Sequence, residues 1–186
     1  MNLPPEECDL FYRLQRTLLL YVAQGMKLLS RNATNPDDFV SLPLEKRLKV
    51  RRTLYAQLDL IDDFVDGNVA GLTEDELQIV AGWKHVVVGD FYVLRYLKEY
   101  AVFLAAESPP KAYGVLGLLD PLEKVIGAQL PVLTQAILLP FKSQITYDGS
   151  LNTYSVSFGP SIRKGLDRDY RRAKSSHGII TSLPVV

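Results

Sequence analysis

Trp83, the only tryptophan of the chain, stands where the backbone periodicity changes. Ahead of it, apolar residues recur at helical spacing. Behind it, from Val86 to Leu97 and from Tyr100 to Ala105, aromatic and β-branched residues dominate and helix signals are few. Helical segments followed by a run of extended ones predict an α+β fold. The expected architecture is a helical N-terminal lobe packed on a mostly antiparallel sheet of about five strands, with two C-terminal helices. With 186 residues and no flexible linker near Trp83, the two lobes, 1–84 and 85–186, are expected to form one compact unit.

Three helices are expected in the first lobe. Pro4 and Pro5 open one, with Glu6 and Glu7 in its first turn and Leu10, Leu14, Leu18, Tyr21 and Val22 on one face. A second is expected from about Ser41 to Gly67-Asn68, its buried stripe formed by Leu44, Leu48, Leu54, Leu58, Ile61 and Val65. Thr73-x-x-Glu76 is a capping box and opens a third, towards Lys84.

Beyond Trp83, strands are expected at Val86–Leu97, Tyr100–Ala105 and Ala112–Leu118. Asp120-Pro121-Leu122-Glu123 reads as the start of a helix that Pro131 kinks or restarts. Ile145 and Tyr147, then Tyr154, Val156 and Phe158, alternate with polar neighbours, so they predict a hairpin that turns at Asp148-Gly149 with a longer loop through Ser150 to Asn152. Gly159-Pro160 then opens a last helix, which His177-Gly178 ends.

The 21 basic and 21 acidic residues cancel, so net charge favours neither nucleic acid nor a membrane, and only local patches can. The lone Cys8 excludes an internal disulfide and a cysteine-built zinc site, and fits a reducing cytoplasm. No apolar run reaches the roughly 20 residues of a bilayer span. Acids, instead of a basic segment, precede Leu18–Ala23, which argues against a secretory leader. No P-loop, HExxH, GxSxG or GxGxxG pattern occurs, and the sequence implies no cofactor.

Three patches bear on function. Asp59, Asp62, Asp63 and Asp66 share one helical face, a spacing that holds Mg²⁺ in DDxxD-type prenyl-transfer enzymes. About 100° per residue turns them away from the leucine stripe, so a solvated acidic face is the plainer reading and a metal-dependent phosphoester or diphosphate enzyme the sharper one. On a continuous helix these acids would follow Lys46, Arg47, Lys49, Arg51 and Arg52, an order that opposes the helix dipole. Second, Lys164, Arg168, Arg171 and Arg172 lie on one side of the last helix, with Ile162, Leu166, Tyr170 and Ala173 on the other. That basic stripe can meet an acidic protein partner, or phosphates in a sequence-independent way. Third, Arg95 with Tyr92, Tyr96 and His85 is a candidate ligand groove, the arginine serving as an anion anchor.

Trp83-Lys84-His85, Gly89 with Phe91, Arg95 with Leu97-Lys98, Tyr100 with Phe103-Leu104, Pro140-Phe141-Lys142, Tyr147-Asp148-Gly149 and Phe158-Gly159 with Ile162-Arg163 resemble segments of an uncharacterised bacterial family. Its members sometimes carry a C-terminal SEC-C zinc motif. That motif is not present here, so the resemblance implies a shared fold for about half the chain and no zinc site. The function expected from the whole is a non-enzymatic cytoplasmic interaction or scaffold module with a protein partner. A nucleic-acid-associated protein using the basic stripe comes second.

Overall fold

A computed structural model describes residues 1–184. The chain divides into two units, Glu6–Lys84 and a second made of Met1–Pro5 with His85 onward. The fold class is α+β, with helices in both units and one five-stranded antiparallel sheet.

In the helical unit, α1 (Pro5–Gly25) buries Phe11, Leu14, Leu18 and Val22, the apolar positions of its sequence period. Phe11 meets Trp83 edge-on, with ring centroids 5.7 Å apart. The expected second helix is two helices, α2 (Leu44–Ala56) and α3 (Asp59–Gly67). The break falls at Gln57, whose φ of −136° and ψ of 73° are not helical. Its consequence is electrostatic. Asp59 and Asp62 now occupy the first turn of a new helix, where the dipole favours acids. The break thus relieves the charge conflict for Asp59 and Asp62, while Lys46 and Arg47 remain at the start of α2 and Asp66 at the end of α3. The expected stripe is also corrected: Leu44 is 62% and Leu48 41% exposed, and α2 buries only Val50 and Leu54. α3 buries Ile61 and Phe64. Both halves of the Thr73–Glu76 capping box form at the start of α4 (Glu74–Gly82).

The other unit is built on the sheet, with strand order β3-β2-β1-β4-β5. β1 (Val87–Tyr96), β2 (Ala101–Ala105) and β3 (Ala112–Val115) match the expected extended segments. The remaining two strands depart from expectation. The helix begun at Leu122 ends at Ile126 as α5, and Val132–Phe141 is β4, not a continuation of that helix. The run there, apolar but for Thr134 and Gln135, is ambiguous in period, and pairing with β1 from Val132 to Leu138 decides for strand. Pro140 lies past that pairing and bonds to one neighbour only, where a missing N–H costs no ladder bond.

β5 (Gln144–Thr153) follows a two-residue turn at Lys142-Ser143, with Lys142 at a φ of 54°. Asp148-Gly149 is therefore not the turn. It forms a bulge inside β5, where the register shifts opposite Ala136–Leu138 and Gly149 takes a φ of 86°. Both positions tolerate positive φ; the turn took the lysine and the bulge took the glycine. Tyr154 to Phe158, expected as a strand, is not part of the sheet, and Val156 is half exposed.

Leu116 N–H donates to Ile145 O, which ties the β3 end to β5 and curls the sheet. Phe91, Phe103 and Tyr113 fill one face. Ile180 exchanges two backbone bonds with Ala112 and Gly114, so the outer edge of β3 is covered. Gly114 is obligatory by space, since a Cβ there would sit 2.8 Å from the Tyr100 ring. No helix among the described residues is long and apolar enough to cross a membrane.

Candidate interaction surface on the last helix

The last helix, α6 (Pro160–His177), runs between the expected signals, Pro160 in its first turn and Gly178 as its cap at a φ of 71°. Lys174 and His177 occupy its last turn, where cations suit the dipole. Leu166, Tyr170 and Ala173 are buried in one cluster with Val102, Leu104 and Ala112 of the sheet. Ile162, assigned to that side by its spacing, is half exposed.

A bulge in β1 adds a second fastening. Tyr92 pairs with Leu104 and Val93 with Phe103, but Arg95 pairs with Val102, so Leu94 is the extra residue. Val102 and Leu104 both face α6. The bulge thus turns Arg95 onto the α6 face, where simple alternation would have sent it to the other. Its Nη2 donates to Asp167 Oδ1 at 2.8 Å, and its guanidinium lies 5.1 Å from the Tyr170 ring centroid. Arg171 Nη2 donates to the second oxygen, Asp167 Oδ2, at 2.7 Å. Arg171, and then Arg95, hold the Asp167 carboxyl below the usual carboxylate range.

The outward side of α6 carries the predicted stripe. Lys164, Arg168, Arg171 and Arg172 are all exposed. At about 100° per residue they lie nearly opposite the Leu166–Tyr170–Ala173 seam. Arg171 is engaged by Asp167, and Arg168 Nε lies 3.3 Å from Asp169 Oδ1. Lys164 and Arg172 form no ion pair among the described residues. The helix holds six basic and two acidic side chains, and both acids are already occupied by arginines.

The residues of the candidate ligand groove are dispersed. Tyr92 faces α6 and packs edge-on against Phe158 at 5.6 Å. Tyr96 pairs with Ala101, on the opposite face from Arg95, and donates its hydroxyl to Gly127 O at 2.7 Å. Burial, with a smaller push from Glu123, raises its phenol to about 12. His85 is exposed in a short turn, Trp83–His85, ahead of β1. From Val87 to Arg95 the strand runs roughly 26 Å, so the histidine and the arginine serve no common ligand. Of the four, Arg95 lines a groove beside α6. That groove, of about 380 Å³, is bounded by Leu94, Leu130, Pro131 and Leu166, with Arg163, Lys164 and Asp167 at its rim. In the sequence Arg163 stands out only within the resemblance, with no role assigned to it. Its Nε donates to Phe158 O at 2.9 Å and its Nη1 to Leu130 O at 3.0 Å. Nothing local marks it, because its partners lie up to 33 residues away.

The acidic residues of α3 are differently placed. Asp59, Asp63 and Asp66 are exposed, and Asp62 is paired with Lys84. Among the described residues no three histidine, cysteine or carboxylate side chains converge on a common point. A larger cleft of about 440 Å³ lies within the helical unit, lined by Tyr21, Phe64 and Val69 with Arg13 and Arg31. Arg13 is paired with Glu76, whose carboxyl is held below its usual range chiefly by that arginine.

Comparison with protein-family models, curated proteins and solved structures returns no significant match.

Proposed function

We propose that the chain is a non-enzymatic cytoplasmic interaction module that docks an acidic segment of a protein partner on the outward face of α6. One observation carries this reading. α6 is fastened by its buried seam and by the Arg95–Asp167 bond, while a row of cations on its far side is left to solvent, two of them without an ion pair among the described residues. A helix held so firmly displays its charges in a fixed row about 12 Å long from Lys164 to Arg172. Fixed rows of one sign steer an oppositely charged partner and set its register. The buried, unpaired Cys8 thiol is in keeping with a reducing compartment. The same reading takes the chain as a member of the bacterial family that Trp83-Lys84-His85 and Tyr147-Asp148-Gly149 resemble.

The test is capture of partners from nuclease-treated extract by wild type and by the double variant Arg168→Glu/Arg172→Glu. Both side chains are exposed, so the fold should be unchanged. Wild type should retain a partner that the variant loses by about tenfold or more, equivalent to roughly 1.4 kcal/mol. Retention should also weaken as salt rises. Equal capture by both proteins, or none by either, would overturn the proposal. Capture that disappears on nuclease treatment would move the surface to nucleic acid.

A further inference from the structure

We infer that the groove beside α6 receives an apolar anchor side chain of the docked segment, so the motif it reads is an apolar residue flanked by carboxylates. This rests on the docking reading above and adds what the stripe alone does not specify. The groove floor is apolar, formed by Leu94, Leu130, Pro131 and Leu166. A bare anion such as phosphate gains nothing from such a floor. An aliphatic or aromatic side chain gains transfer free energy there in proportion to the apolar area it buries. The volume of about 380 Å³ falls within the roughly 300–1,000 Å³ typical of small-ligand sites.

The rim supplies the charge complement. Arg95, Arg163 and Lys164 stand against one acid, Asp167, and that acid already accepts from Arg95 and Arg171. Two of the three cations are preorganised. Arg163 is held by two backbone carbonyls, and Arg95 by Asp167 and the Tyr170 ring. Each guanidinium keeps N–H groups that these contacts do not use. Donors already fixed in place lose little side-chain entropy when a carboxylate arrives. Lys164 belongs to both the rim and the stripe, which makes the groove and the outward face of α6 one continuous surface.

The experiment is fluorescence anisotropy with a labelled six-residue peptide, a central Leu-Phe pair flanked on each side by two acidic residues. Two control peptides carry alanines in place of the apolar pair or lysines in place of the acids. Wild type should bind the first peptide at least about tenfold more tightly than the alanine peptide and leave the lysine peptide unbound. Lys164→Glu should weaken the first peptide by about tenfold. If the apolar and alanine peptides bind equally, and Arg168→Glu/Arg172→Glu weakens both, the anchor inference fails while the stripe reading stands. Absence of binding to the first peptide up to about 1 mM, or its full displacement by a single-stranded oligonucleotide, also overturns the inference.

Discussion

Replacing Tyr170 by alanine should release α6 from the sheet. Tyr170 is 6% exposed and lies at the centre of the seam between Leu166 and Ala173. It is also the ring over which the Arg95 guanidinium is placed. Truncating a buried aromatic of this size costs about 3–5 kcal/mol, the lost transfer free energy plus the cavity left behind. Leu166, Ala173 and the Arg163 backbone contacts remain, but the polar contacts add little. The Arg95–Asp167 pair is solvent-exposed on both sides, and exposed pairs contribute about 0–1 kcal/mol. Amide hydrogen exchange at Leu166–Ala173 should therefore accelerate by roughly a hundred- to five-thousand-fold. Tyr170→Phe keeps the ring and should change protection by less than about 1 kcal/mol. Unchanged exchange in the alanine variant would mean that the seam does not hold α6.

The helical unit has its own critical ring. Phe11 is fully buried and stands edge-on to Trp83, 5.7 Å between centroids, at the junction of α1 with the end of α4. Phe11→Ala should lower the stability of this unit by about 3–5 kcal/mol. Single domains hold only about 5–15 kcal/mol in total. Trp83 reports the loss directly, because it is the only tryptophan and is buried against the deleted ring. In urea, its emission should shift at a midpoint lower by about 2 M or more. A midpoint displaced by less than about 0.5 M would show that Phe11 is not central to this core.

Elements with local punctuation were legible in the sequence. α4 announces itself by a capping box within four residues, and α6 by Pro160 at one end and His177-Gly178 at the other. Elements decided by distant partners were not. β4 is a run of apolar residues whose period fits helix or strand, and only its ladder with β1 settles the matter. The break at Gln57 carries no glycine or proline. Its trace in the sequence was the charge order itself: acids at 59 and 62 after a basic run fit the start of a new helix better than the end of an old one. Asp148-Gly149 shows the limit of turn chemistry, since the residue preference that suits a hairpin turn suits a bulge equally.

The same division applies to the surface. The stripe of Lys164, Arg168, Arg171 and Arg172 follows from helical spacing alone. The groove does not, because it needs the β1 bulge that moves Arg95 across the sheet, and the Arg163 contact with a carbonyl 33 residues away. Tyr92, Tyr96 and His85 were grouped with Arg95 by closeness in sequence; Tyr96 lies on the opposite face, His85 precedes the strand, and Tyr92 shares the α6 face but packs on Phe158.

A photo-crosslinking side chain at Ser175 tests the central claim most directly. Ser175 is exposed on α6, four residues after Arg171 and so on the same face. Ser143, exposed in the β4–β5 turn, serves as the comparison. In living cells the Ser175 probe should yield a discrete protein adduct that Arg168→Glu/Arg172→Glu abolishes, while the Ser143 probe yields none. Equal labelling from both positions, or a Ser175 adduct indifferent to the charge reversals, would contradict a partner seated on α6.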